Sequence, residues 1–150
     1  MNKQMIMSHD IMPLIKELLE QDQEVILTVS GTSMNPFYHD KKTIVKLLKA
    51  NQNMQRFDVV LYEYQGRYRL HRIIKVEDDV YVICGDALTS YEYVSRDKIF
   101  GLVIAYKNKQ KWIHRQSTLN HLYISIWSLL RPFRRILLRI SRRKKRDRNN

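Results

Sequence analysis

The chain contains a single cysteine, Cys84, among 150 residues, which excludes an internal disulfide framework and a cysteine-rich metal site. Cys84 ends an apolar run and is expected to pack as a small apolar residue in a strand. Glycine is scarce too, with four residues, and neither a long Gly/Ser linker nor an internal repeat divides the chain. No long apolar run opens it: residues 5–19 are interrupted by His9, Asp10, Pro13, Lys16 and Glu17. That stretch forms neither the core of a secretory signal nor a membrane span, and the region that follows is expected to remain in the cytosol. Acidic residues are nearly missing from the C-terminus. From Arg131 onward Asp147 alone faces ten Lys or Arg, so this tail carries about three-quarters of the formal charge of +12. The remainder is close to neutral, and a nucleic-acid reading would rest on the tail alone, without a recognition fold beside it.

What is present reads as a small, mostly β domain. A short amphipathic helix comes first, with Asp10 as cap, Pro13 in the first turn and Ile11, Leu14, Ile15, Leu18 and Leu19 at helical spacing. Strand-length runs follow at residues 24–29, 43–48, 59–64, 68–76, 80–84 and 99–106, with residues 111–114 as a final edge strand. Residues 65–66 and 77–79 supply tight turns between them. The only boundary falls near residues 116–119, dividing a domain of residues 1–116 from a basic helical segment of residues 117–150.

The chain is organised around Ser30-Gly31-Thr32-Ser33-Met34-Asn35-Pro36-Phe37. It directly follows a short buried strand, so Ser33 sits just past a strand end and Pro36 stops its continuation. Gly31 permits the turn, and the free backbone N–H groups around Ser33 suit a developing oxyanion. Downstream, Tyr68–Val76 carries the pair His71-Arg72, and Cys84-Gly85-Asp86-Ala87 closes the next strand. A serine hydroxyl needs a neighbouring base to become a nucleophile at neutral pH, and His71 is the candidate.

The order Gly-x-Ser-Met-x-Pro, Phe57-Asp58-Val59-Val60, His71-Arg72 and Gly85-Asp86 resembles the signal peptidase I and self-cleaving repressor superfamily of serine peptidases. The resemblance spans roughly residues 25–102 and implies coiled antiparallel sheets and acyl-enzyme chemistry without metal or cofactor. It implies Ser33 as nucleophile and His71 as base, as in the histidine-type signal peptidases, with Lys75 a spectator farther along the strand. Asp86 would orient His71. Histidine-type relatives usually carry a further aspartate shortly after this motif, a place where this chain offers Glu92 or Asp97 instead. Oxyanion donors would be the Ser33 N–H, with Thr32 or Ser30 as helper, because Gly31 stands where signal peptidases typically have serine. Only about thirty residues precede Ser33, and the one Cys-Gly pair lies inside the motif region, so self-cleavage of the repressor type is not expected.

Residues 119–140 join an apolar run, with Tyr123 and Trp127, to arginines on either side of Pro132. This predicts a basic amphipathic helix kinked at Pro132 and, through residues 119–146, a peripheral contact with anionic membrane at the cytoplasmic face. If that helix packs on the domain instead, the chain is simply cytoplasmic. The expectation is a signal-peptidase-like endopeptidase that cuts a leader or pro-segment from an extended peptide. A non-catalytic peptide- or membrane-binding module on the same fold is the alternative, to be told apart by the Ser33–His71 distance.

Overall fold

The computed structural model describes residues 5–6, 8–134, 136 and 139–140; the proposed tail contacts of residues 141–146 lie outside them. The fold is mainly β. Nine strands form one sheet: β1 (Met5–Ile6), β2 (Val25–Thr28), β3 (Ile44–Lys49), β4 (Val59–Tyr64), β5 (Arg67–Glu77), β6 (Val80–Cys84), β7 (Glu92–Ser95), β8 (Ile99–Lys107) and β9 (Ile113–His114). Their order is β1-β2-β3-β8-β4-β5-β6-β7, with β9 on β8. Every pairing is antiparallel except β1 on β2. The sequence reading lacked β1 and β7. Two residues are too few to show a period, and in Glu92–Ser95 the buried face carries Glu92 and Val94 and the exposed face Tyr93 and Ser95, so polarity does not mark the alternation.

Strand alternation divides the interior into two cores. In β4, Val59 and Leu61 join the cluster that includes Met12, Ile15, Leu19 and Leu27, whereas Val60 and Tyr62 join the one that includes Ile73, Ile83 and Val94. Successive side chains of a strand point to opposite faces, so a strand buried on both sides serves two cores at once. Register shifts at Lys46/Leu47, Leu61/Tyr62 and Ile73/Lys75 accompany the curling.

Helix α1 (Met12–Glu20) covers the first core through Met12, Ile15 and Leu19. Gly101 allows the close fit, since a Cβ there would meet Leu61 Cβ at 3.0 Å and Leu19 Cδ1 at 3.2 Å. Asp10 does not cap this helix: it lies in a 3-10 turn (His9–Ile11), and the N-cap position falls on Ile11, which makes no side-chain cap bond. The Pro13 ring enters at the first turn and needs no donor there. Helix α2 (Thr118–Leu129) is capped by Ser117, and a 3-10 turn at Arg131–Phe133 follows, at the expected Pro132 break. No helix among the described residues is long and apolar enough to cross a membrane.

Candidate active site

Ser33 stands in the connection between β2 and β3, turned by Gly31 at φ 97° with the Gly31 N–H held by Asp40 Oδ1 at 2.7 Å. Met34 is buried under the turn, and its carbonyl accepts the Phe37 and Tyr38 N–H groups at 3.1 and 2.9 Å. This anchors Ser33, which is itself half-buried. Ser33 Oγ lies 3.0 Å from His71 Nε2. The two come from segments 38 residues apart and meet because β5 lies across the groove from the β2 end.

The other imidazole nitrogen decides the proton arrangement. Nδ1 of His71 is 2.8 Å from the Tyr62 hydroxyl, and that hydroxyl donates to Glu92 Oε2. A phenol has one proton; having given it to the carboxylate, Tyr62 accepts from His71 Nδ1–H. Nε2 is left with its lone pair toward Ser33, the tautomer a general base requires. Glu92 is held in turn by Arg69, and its Oε2 lies 3.9 Å from Nδ1. Burial, the largest cause, and hydrogen bonding to Glu92 keep the Tyr62 phenol far above its ordinary range, so it stays protonated.

His71 is 5 % exposed. Burial first, then the Arg69 cation, lower its pKa from 6.5 to about 4 despite the opposing pull of Asp86. The imidazole is therefore neutral at pH 7 and free to take a proton. Because the unfolded chain binds this proton near pH 6.5 and the folded one near 4, stability is expected to fall as pH drops from about 6.5 to about 4. Below that window this contribution levels off. Chemical unfolding of the natural chain and of His71→Gln at pH 7 and pH 4.5 checks this, the variant losing the acid-dependent part.

Asp86 does not orient His71. Its two carboxylate oxygens receive Arg72 Nε and Nη2 at 2.9 and 2.8 Å, a fully buried ion pair. Neighbouring residues of a strand face opposite ways, so the acid that binds Arg72 stands on the wrong side of β5 for His71. Asp97 is also remote, exposed in the 3-10 turn Arg96–Lys98 and bonded to Ser95. Of the three acids weighed from sequence, only Glu92 reaches the histidine, through Tyr62. Sequence reasoning missed Tyr62 because its signal lies in the strand register: Val60 pairs with His71 and Tyr62 with Arg69, so Tyr62 shares the His71 face as its diagonal neighbour. Lys75 is exposed and paired with Glu77, away from the serine.

The oxyanion helpers also sort by position. No described backbone acceptor takes the Ser33 N–H. Ser30 lines the groove beside Ser33, whereas Thr32 is exposed, outside the groove lining, and its carbonyl accepts Asn35 N–H at 3.2 Å. Thr32 is thus displaced by Ser30 as the second candidate donor. The turn after β6 holds the Ser33 backbone, Ala87 N–H donating to the Ser33 carbonyl at 2.9 Å. A Cβ on Gly85 would come within 2.7 Å of that carbonyl. Gly85→Ala is expected to push the Ser33 backbone aside and cut its acylation rate by about tenfold or more, read by single-turnover labelling of a variant with a native circular dichroism spectrum.

Arg67, Tyr68, Leu70, Val29 and Leu88 complete the groove. β6 pairs with β5 only from Arg72 onward, so the opposite edge of Arg67–His71 carries no strand among the described residues. That edge runs alongside the groove to the Ser33–His71 pair. A family model described as Peptidase S24-like matches residues 2–104, which include Ser33, Tyr62, His71 and Glu92. No curated protein matches the chain.

Proposed function

Since the chain belongs to the Peptidase S24-like family, we propose that it is a serine endopeptidase in which Ser33 is the nucleophile and His71 the base. The observation that carries this reading is the 3.0 Å Ser33 Oγ–His71 Nε2 contact, made with an imidazole whose Nδ1 proton is already engaged by Tyr62. Ser33 Oγ attacks the scissile carbonyl as its proton passes to Nε2. The oxyanion is met by the Ser33 N–H and the Ser30 hydroxyl. Collapse expels the amine, which takes the proton from His71, and leaves an acyl-serine. Water, deprotonated by the same nitrogen, then releases the carboxylic acid and restores Ser33. Tyr62 and Glu92 are positioning residues that hold the ring and place negative charge near the transient imidazolium.

The open edge of Arg67–His71 supports an extended peptide as substrate, bound by main-chain hydrogen bonds. We further propose a leader or pro-segment with small side chains at the cut, after the signal-peptidase manner. A non-catalytic binding module would be favoured by a separated serine and histidine, and the short contact argues against it.

Labelling with a fluorophosphonate tests the proposal. The natural chain should be labelled and Ser33→Ala should not; an unlabelled natural chain with intact fold would favour the binding module. Labelling should remain at full rate down to about pH 5 and reach half near pH 4, where His71 gains its proton.

A further inference from the structure

Helix α2 shows its apolar residues to the outside. Leu119, Leu122, Tyr123, Ile126, Leu129 and, beyond the helix, Phe133 fall at helical spacing and are 48–78 % exposed. Toward the domain the helix uses one buried apolar residue, Ile124, together with Asn120, which accepts from Tyr106, and Trp127, which donates to the Asp86 carbonyl at 2.9 Å. This continuous stripe has no partner among the described residues.

Two arginines stand at its end. Arg134 is fully buried; its Nη1 donates to the Leu88 carbonyl at 3.2 Å and its guanidinium lies 5.0 Å from the Trp127 ring. Its Nε and Nη2 have no hydrogen-bond partner among the described residues, nor do the buried Nε and Nη1 of Arg131. Arg131 lines an open cleft with Arg56, Tyr91 and Ser128. Asp86, an acid close enough to act on Arg134, is already committed to Arg72. Buried guanidinium donors left unfilled are costly, and at Arg131, which lines the open cleft, an anion with several oxygens would satisfy them.

We propose that Arg131, in the open cleft it shares with Arg56 beside Leu129, receives the phosphate of an anionic phospholipid while the apolar stripe of α2 enters the same leaflet, docking the domain on a membrane surface. A free phosphate would occupy the Arg131 cleft and leave the stripe bare. A second copy would cover the stripe but bring the same cations, not an acid. A lipid headgroup with its acyl chains answers both, and the basic sequence Arg142–Arg146 adds attraction to an anionic surface. The docked segment also touches the catalytic loop: Arg134 holds Leu88, Trp127 holds Asp86, and Ala87 holds Ser33.

Co-sedimentation of the full chain with phosphatidylcholine vesicles, with and without phosphatidylglycerol, tests this independently of catalysis. The natural chain should bind only the anionic vesicles. Arg131→Gln, at a half-exposed position, should weaken binding about fivefold or more, and Leu129→Asp should weaken it at least as much, both with native melting curves. Unchanged vesicle binding by Arg131→Gln would overturn the site and assign binding to tail charge. Stabilisation by inorganic phosphate that Arg131→Gln abolishes, without vesicle binding, would overturn the membrane role in favour of a free anion. Self-association abolished by Leu129→Asp, again without vesicle binding, would overturn it in favour of a second copy.

Discussion

Replacing His71 by alanine is expected to lower the acylation rate of Ser33 by about 10²–10⁴-fold, the usual worth of a positioned general base. The loss should be nearly complete because the described groove offers no second base: Lys75 is exposed and paired with Glu77. Stopped-flow labelling at pH 7.5 measures it, with far-ultraviolet circular dichroism to show that the fold persists. Tyr62→Phe supplies the companion test. It deletes the hydroxyl that accepts from Nδ1 and donates to Glu92, leaving a ring of the same shape with its tautomer no longer specified. A smaller loss is expected than for His71→Ala, with the midpoint of the acid limb moving below about 4, since the imidazolium loses its acceptor. A purely structural Tyr62 would lower the melting temperature and leave that midpoint in place.

Asp86→Ala should show the reverse pattern, a large loss of stability with a modest effect on chemistry. The substitution strands the Arg72 guanidinium, which is 4 % exposed and among the described residues otherwise hydrogen-bonded only to the Phe57 carbonyl at 2.8 Å. Breaking such a pair from one side costs about 3–5 kcal/mol. Urea unfolding reads this directly, and Asp86→Asn should recover part of it by keeping one hydrogen-bond acceptor. At a temperature where the variant stays folded, Ser33 should still be labelled far faster than in His71→Ala. If Asp86→Ala instead matched His71→Ala in rate while remaining fully stable, Asp86 would belong to the proton path and the Tyr62–Glu92 arrangement would be secondary.

The two tests separate residues that look alike in one dimension. Asp86 follows a glycine beside a motif turn and has the sequence marks of a catalytic acid, yet its carboxylate is taken up by Arg72, while the backbone N–H of the next residue, Ala87, holds the Ser33 carbonyl. Glu92 lies outside every strand expected from the sequence and falls in β7, paired to Ile83 on β6. Its buried carboxylate reaches the second core face, where Tyr62 stands. The N-terminal cap is a smaller case of the same kind: Asp10 has the right side chain, but the 3-10 turn delays the helix and moves the cap to Ile11.

By itself, the sequence determined whatever local chemistry can determine. Apolar alternation set most strands, Gly31 and Pro36 set the turn that presents Ser33, and the chain of motifs pointed to Ser33 and His71 as the reactive pair. Tertiary structure decided which acid reaches His71 through Tyr62, which hydroxyl lies beside Ser33 in the groove, and which way α2 faces. Each of these depends on the face a side chain takes in a curled sheet or against a neighbouring element. A strand's period says that His71 and Arg72 point apart, but only the β4–β5 and β6–β7 registers say that Tyr62 and Glu92 wait on one side and Asp86 on the other.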